Sequence, residues 1–131
     1  MRARRTTHTD GTSFEREASY ARAVRIGCHV AVSGTAAIGP QGTLHPGDTY
    51  RQAQAAIAKA LEAAASLGAG PGDVIRTRLL LAPDAVWEDA VRAHGEAFAD
   101  VNPANTTYFV ARFIPDVLVE LELDAVVSDP S

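Results

Sequence analysis

The amino-acid sequence predicts an α+β fold, one mixed sheet with two helices in a single domain spanning residues 1–131. Three observations lead there. Runs rich in β-formers sit near both ends of the chain, with another in the middle. Two segments between those runs carry apolar residues at three- and four-residue steps, the period of a helix with one buried face. Strands and helices then follow in the order strands, helix, strand, helix, strands, which suits a sheet with helices packed on it.

Residues 21–26 and 29–33 are short apolar-rich runs separated by Gly27-Cys28, the spacing of a tight hairpin. Gly34, Gly39, Pro40 and Gly42 mark loop, and Pro46-Gly47-Asp48 marks a helix start. Over 48–67 the residues Tyr50, Ala53, Ile57, Leu61 and Ala64 form one stripe. Asp48 or Thr49 can cap this helix, Thr49 pairing with Gln52 in a capping box, and Gly68 ends it. Residues 74–81 read as a strand. Pro83-Asp84 opens a second helix with Trp87, Ala90 or Val91, His94 and Phe98 on one face, closed by Pro103. Residues 106–113 and 117–127 are two further strands turning at Pro115-Asp116.

Two helices cover one sheet face only. Yet on 106–113 Tyr108 and Val110 point one way while Phe109, Ala111 and Phe113 point the other. On 74–81, Ile75, Leu79 and Leu81 make one face, and Val74 and Leu80 share the other with Arg76 and Arg78. The last strand backs its apolar side with Leu118, Glu120, Glu122 and Asp124. A half-apolar face laced with opposite charges is expected to be covered by a partner subunit.

Composition removes several function classes. With 47% apolar and 21% charged residues the chain is a globular domain, not a disordered one. The single Cys28 cannot form an intrachain disulfide, so a secreted disulfide scaffold is excluded and a cytoplasmic location is expected. No apolar run approaches the ~20 residues that span a bilayer, and the basic start lacks an apolar segment after it, so no membrane association is expected. Arg4-Arg5 reads as a solvated chain start. A net charge of −4 weighs against a nucleic-acid partner, which needs a basic face.

Most familiar motifs fail on context. Gly68-Ala69-Gly70-Pro71-Gly72 follows a helix and precedes a strand, the reverse of a dinucleotide-binding turn. His8, His29, His45 and His94 show no paired metal spacing, and His94 reads as a packed, hydrogen-bonded histidine. Cys28 and His29 are adjacent in a strand and point to opposite faces, so they are no nucleophile–base pair. The alternating carboxylates Glu120, Glu122 and Asp124 remain. They are either salt-bridge partners of Arg76, Arg78 or a neighbouring chain, or one of them is held in a cleft as a general base for water.

Several stretches together resemble a known family. Tyr20-Ala21-Arg22-Ala23-Val24 and Val30-Ala31-Val32-Ser33-Gly34-Thr35 resemble the opening of the Rid/YjgF (RidA-like) family of reactive-intermediate enamine/imine deaminases. Gln52-Ala53-Gln54, Ala63-Ala64, Gly68 and Gly72-Asp73-Val74-Ile75-Arg76 look like its middle. Pro103-Ala104-Asn105-Thr106-Thr107 and Val117-Leu118-Val119-Glu120-Leu121-Glu122 look like its ending, so the likeness runs over residues 14–127. It implies a chorismate-mutase-like fold with a sheet of about six strands and two helices on one face. It also implies a homotrimer with a small-molecule cleft between each pair of subunits.

What the resemblance implies for chemistry is hydrolysis of an imine or enamine by water, without a cofactor. Glu120 matches the glutamate that positions or activates the water, and Tyr20 matches a tyrosine lining the cleft. Ser33 and Gly34 match a strand end whose backbone faces the ligand, and Thr107 matches a position whose backbone contacts ligand or water. Two residues depart from the pattern. Deaminating members carry an arginine where this chain has Asn105, and its charged fork clamps a substrate carboxylate. Losing such a clamp costs on the order of 2–5 kcal/mol in a dry site. Arg92 stands where those members have an asparagine near the cleft. The expected function is therefore an imine or enamine hydrolase whose substrate is not a simple 2-imino acid. Asn105 would bond a neutral amide or carbonyl. A non-catalytic trimer binding a small metabolite is the alternative, and an endoribonuclease the weakest reading.

Overall fold

The computed structural model describes residues 2–128, so the first and the last three positions of the expected domain span lie outside the described residues. Its longest helix shows how the chain is organised. Asp48 sits in extended backbone and accepts a hydrogen bond from the Arg51 amide (3.0 Å), capping α2 (Thr49–Ser66). Thr49, the other capping candidate, accepts instead from the Val86 amide, and Gln52 turns inward. At the far end Gly68 takes φ +94°, and Arg25 donates to the Leu67 carbonyl (2.8 Å), one of the acceptors a helix end leaves open.

Six strands form one sheet: β1 (Arg5–His8), β2 (Ala23–Ile26), β3 (His29–Ala36), β6 (Val74–Leu81), β7 (Ala104–Phe109) and β8 (Val119–Val126). Their spatial order is β1-β2-β3-β8-β6-β7, with β6 and β7 parallel and the other pairs antiparallel. Two short strands, β4 (Ile38–Gly39) and β5 (Gly42–Thr43), pair separately. Val30, Val32, Leu79, Leu81, Val119, Leu121 and Leu123 project from the sheet onto Ala53, Ile57, Ala60 and Ala64 of α2. Each buried leucine or valine contributes roughly 1.5–3 kcal/mol, and the alanine stripe lets the helix approach the sheet closely. Among the described residues, no helix is long and apolar enough to cross a membrane.

The mixed sheet, the helix over 48–67 and the strand at 74–81 match the sequence expectation; other expectations need correction. Among the described residues there are three α-helices, since α1 (Ser13–Ala18) precedes the sheet core, capped by Thr12. The chain start is an edge strand, β1, held by pairing to β2. The second helix, α3 (Trp87–Ala97), begins after Pro83-Asp84 has made a turn. Its buried face is Ala90 and Ala93, leading to Phe98, while Trp87 and Val91 are exposed. Residues 106–113 and 117–127 are not a hairpin. Strand β7 ends at Phe109 and pairs with β6, and a loop through Pro115-Asp116 returns the chain to β8. On β6, Val74 is buried and Ile75 exposed, the reverse of the alternation read from sequence. A register irregularity between Val74 and Arg76 shifts the pleat there.

Among the described residues, no element covers the sheet face away from the helices. Ile26 and Val126 lie exposed on it beside an ion-pair group in which Arg78 meets Glu122 (3.2 Å) and Asp124 (3.5 Å) and His29 meets Asp124 (3.5 Å).

Candidate active site

A β-bulge builds the site. Val32 pairs with Leu123 and Thr35 with Leu121, so Ser33 and Gly34 together face the single residue Glu122 between them. Such bulges bend a strand and re-aim its neighbours. Here Gly34 comes against the side chain of Glu120: a Cβ on residue 34 would lie 2.7 Å from Glu120 Oε1. Ser33 gives its hydroxyl proton to the Ala21 carbonyl (2.7 Å), which ties the bulge to the chain entering β2.

Arg22 lies behind this bulge, only 8% exposed. Its Nη1 donates to the Gly34 carbonyl (2.6 Å) and to Thr35 Oγ1 (3.1 Å), and its Nη2 donates to the Tyr20 hydroxyl (3.4 Å). The buried Nε has no hydrogen-bond partner, the nearest carboxylate being Asp10 at 3.8 Å. Tyr20 therefore joins Ser33, Gly34 and Glu120 through Arg22, a residue whose role the sequence alone did not mark beyond its charge. Gly34, expected from the sequence to mark loop, instead lies inside β3 (His29–Ala36), and a glycine inside a strand is where bulges occur.

Of the three alternating carboxylates, Glu122 and Asp124 are taken up by Arg78. Among the described residues, Glu120 has neither an ion pair nor a hydrogen-bond partner. Burial pushes its carboxyl above the ordinary glutamate range, with Arg22 opposing and the negative charge of Glu122 adding to the rise. A carboxylate with an elevated pKa and unshared oxygens, in a place that excludes part of its solvent, suits a general base or a water-orienting group.

Three candidate residues lie elsewhere. Asn105 and Thr107 are on the edge strand β7, where Asn105 pairs across from Thr77 and Thr107 from Leu79. Leu79 in turn pairs with Leu121, so Thr107 shares the helix-side face while Glu120, paired with Leu80, belongs to the opposite face. Asn105 Nδ2 donates to Thr77 Oγ1 (3.0 Å), and Thr107 Oγ1 donates to Asn105 Oδ1 (2.7 Å). Asn105 is thus hydrogen-bonded within the chain to Thr77 and Thr107. Arg92 stacks over the Tyr50 ring, its guanidinium carbon 3.7 Å from the centroid, on the outer side of α2 and α3. No group of three or more His, Cys, Asp or Glu side chains is placed to hold a metal among the described residues.

Comparison with known proteins gives this arrangement a relationship. The family model described as Endoribonuclease L-PSP matches residues 11–127. A Streptomyces coelicolor protein, SCO2049, is 40% identical over 116 residues, 88% of this chain and 87% of that one. The crystal structure of Mycobacterium tuberculosis Rv2704, from the YjgF/YER057c/UK114 family, superposes with a TM-score of 0.84 at 34% identity, covering 95% of this chain and 100% of that one. Escherichia coli TdcF with bound serine shares the fold at 23% identity, with a TM-score of 0.76 and 94% of each chain covered. On the family match and the Rv2704 likeness, the chain belongs to the YjgF/RidA (L-PSP) family.

Proposed function

We propose that this protein is a hydrolase of the deaminase type acting on an imine or enamine, working in clefts between the three subunits of a homotrimer. The observation that carries the reading is Glu120, a partly desolvated carboxylate without a partner, set against the bulge at Gly34 with Arg22 behind it. An imine carbon is already electrophilic. A water oriented by Glu120 adds to it, forming the C–O bond as the C=N π pair moves to nitrogen, and Glu120 takes the water's proton and passes it to that nitrogen. The carbinolamine hydroxyl proton then follows by way of Glu120 to the amine, the C–N bond breaks to release ammonia, and the oxygen closes the carbonyl of the product. Positioning and partial water exclusion supply most of the assistance such a reaction needs.

Assembly follows from the faces of the sheet. Within one chain Glu120 and the pair Asn105–Thr107 lie on opposite faces. A cleft holding both needs a second copy to bring its β7 edge to the bulge, and the uncovered apolar residues of the back face support this contact. Sedimentation is expected to give three times the 13.8 kDa chain mass, and a monomer at micromolar concentration overturns the shared cleft.

The test of the chemistry is a comparison of Glu120→Gln with Glu122→Gln. Imines are generated in situ by an amino-acid oxidase and their loss followed spectroscopically. Turnover is expected to fall by on the order of 10²-fold or more for the first and to stay within a few-fold for the second. Equal effects reduce Glu120 to a salt-bridge substitute. Binding without turnover in the unaltered protein establishes the alternative, a small-metabolite-binding trimer. The name Endoribonuclease belongs to the family description, and a net charge of −4 weighs against that activity for this chain.

A further inference from the structure

A β-bulge leaves backbone groups without partners in the ladder, and such groups in a buried strand must be satisfied from elsewhere. At Ser33 and Gly34 one residue organises that task. Arg22 Nη1 donates to the Gly34 carbonyl (2.6 Å) and to Thr35 Oγ1 (3.1 Å). Thr35 Oγ1 lies 2.7 Å from the Ser33 carbonyl, which only accepts, so the threonine gives its proton there and takes one from Arg22. The Ser33 amide in turn donates to the Arg22 carbonyl (2.9 Å). Both carbonyls of the bulge are thus tied to residue 22, Gly34 directly and Ser33 through the fully buried Thr35.

Holding a bulge does not by itself call for a cation. A buried guanidinium is costly to desolvate, and this one lacks a close counter-charge. Its Nε has no hydrogen-bond partner, and Asp10, at 3.8 Å, is shared with Lys59 (3.8 Å) and His8 (3.6 Å). The charge is felt on the other side of the bulge. Glu120 stands against Gly34 without an ion pair among the described residues, and Arg22 opposes the rise that burial and Glu122 impose on its carboxyl. Arg78 on β6 is taken up by Glu122, and the residues opposite Glu120 on β3 and β6, Ala36 and Leu80, carry no charge. We propose that Arg22 is a positioning residue for the hydrolysis, its fork clamping the Gly34 carbonyl so that the bulge presents bare backbone to Glu120, and its fixed charge facing that carboxylate across the bulge. The assignment deepens the hydrolase reading and rests on it for the part Glu120 plays. Arg22 acts through Gly34 and Glu120 from behind the strand. A lysine would keep the charge but not the fork that reaches Gly34, Thr35 and Tyr20 together.

The test separates the clamp from the charge. Arg22→Lys keeps the charge alone, and Arg22→Gln keeps neither. Both are expected to lower kcat on an oxidase-generated imine by about tenfold or more, with KM within about threefold, as a misplaced catalytic group predicts. In Arg22→Gln the rise of kcat with pH is expected to move to higher pH, because the cation opposing a proton on Glu120 is gone. In Arg22→Lys it stays near that of the unaltered protein. A merely structural role lowers the folded fraction and leaves that midpoint in place in both variants. An unmoved midpoint in Arg22→Gln, or kcat within about twofold in both variants, overturns the role of Arg22 and leaves Glu120 as the base. Absence of imine turnover in the unaltered protein overturns the hydrolase reading and this assignment together. If neither variant folds, nitrogen NMR of Arg22 in the unaltered protein decides. Separate Nη signals, held apart by restricted rotation, support the clamp, and a single averaged signal overturns it.

Discussion

The carboxylate of Glu120 occupies the space that a side chain at Gly34 would fill: a Cβ there would come within 2.7 Å of Oε1. Residue 34 lies in the half of a β-bulge that has no partner of its own, so the strand can bring bare backbone against a functional group two strand positions away from the next carboxylate. What glycine supplies at this position is the close approach, not a special backbone conformation, since its φ is not in the left-handed region. The same relationship separates Glu120 from Glu122, which the alternation along β8 leaves equivalent.

Gly34→Ala is expected to fold with less than about 1 kcal/mol of lost stability, because the obstructing atom is the end of a flexible side chain. The methyl group must nonetheless displace the carboxylate, and turnover is expected to fall at least tenfold, since small misplacements of a catalytic group are costly. Gly68→Ala is the contrasting case. There φ is +94° and a Cβ would lie 2.7 Å from Arg25 Nη1, the donor to the Leu67 carbonyl. That variant is expected to lose about 1–3 kcal/mol in denaturant unfolding with the bulge and its chemistry unaltered.

Glu120 also sets a pH dependence. Its folded pKa lies above the ordinary value of 4.5, chiefly because burial penalises the charged form. The stability tied to this group is fully present below the unfolded pKa and is lost as pH rises through the folded one. Glu120→Gln is therefore expected to melt at a higher temperature than the unaltered protein at neutral pH, with the difference vanishing below the ordinary glutamate value. Turnover runs the other way, rising with pH as the carboxyl ionises above that same value. A difference in melting temperature that is constant across this range would show that Glu120 is not desolvated.

Much of this architecture could be read from the residues themselves. The strand over 74–81 and the stripe Ala53, Ile57, Ala64 are strong periodic signals, and both are where they were expected. Strand β1 was hidden because Arg5, Thr6, Thr7 and His8 are polar and gain their strand from pairing with β2. The alternation that runs on through Ala111 and Phe113 is equally deceptive, since the Val110 amide bonds the Leu81 carbonyl and the chain then leaves the sheet. Glu120, Tyr20, Ser33 and Gly34 were legible as candidates, but their link through Arg22 was not. Nor was the run of contacts from Thr107 through Asn105 and Thr77 to His94, which depends on the parallel pairing of Thr77 with Asn105 across 28 positions of sequence.

Gln52 joins the fold to the site. It is fully buried, accepting from the Leu118 amide (2.8 Å) and donating to the carbonyls of Asp116 (2.8 Å) and His45 (3.2 Å). Leu118 stands two residues before Glu120, so this one side chain anchors the loop that delivers the carboxylate. Gln52→Leu keeps the volume and leaves those backbone groups unsatisfied. It is expected to cost about 2–4 kcal/mol in chemical denaturation. A loss under about 1 kcal/mol would show that water satisfies them instead.

The last prediction concerns Asn105 and the charge it lacks. A carboxylate-bearing imine needs a fixed cation in a partly dry cleft, because an unpaired anion there is strongly penalised. The two arginines nearest in role are otherwise engaged, Arg22 with Gly34, Thr35 and Tyr20, and Arg92 on the face of Tyr50. Weak hydrolysis of 2-iminopropanoate by the unaltered protein is therefore expected. Asn105→Arg gives up the bonds to Thr77 and Thr107 and gains a guanidinium fork at an exposed edge-strand position with room to extend. It is expected to raise that activity by about tenfold or more, the measure of one charge-assisted pair in such a site. Robust hydrolysis by the unaltered protein would mean that Arg22 exchanges one of its internal bonds for the substrate, and Arg22→Lys would then abolish it. An inactive Asn105→Arg variant whose structure shows the guanidinium pointing into the cleft would show that the water-orienting machinery at Glu120 does not accept this class of imine at all.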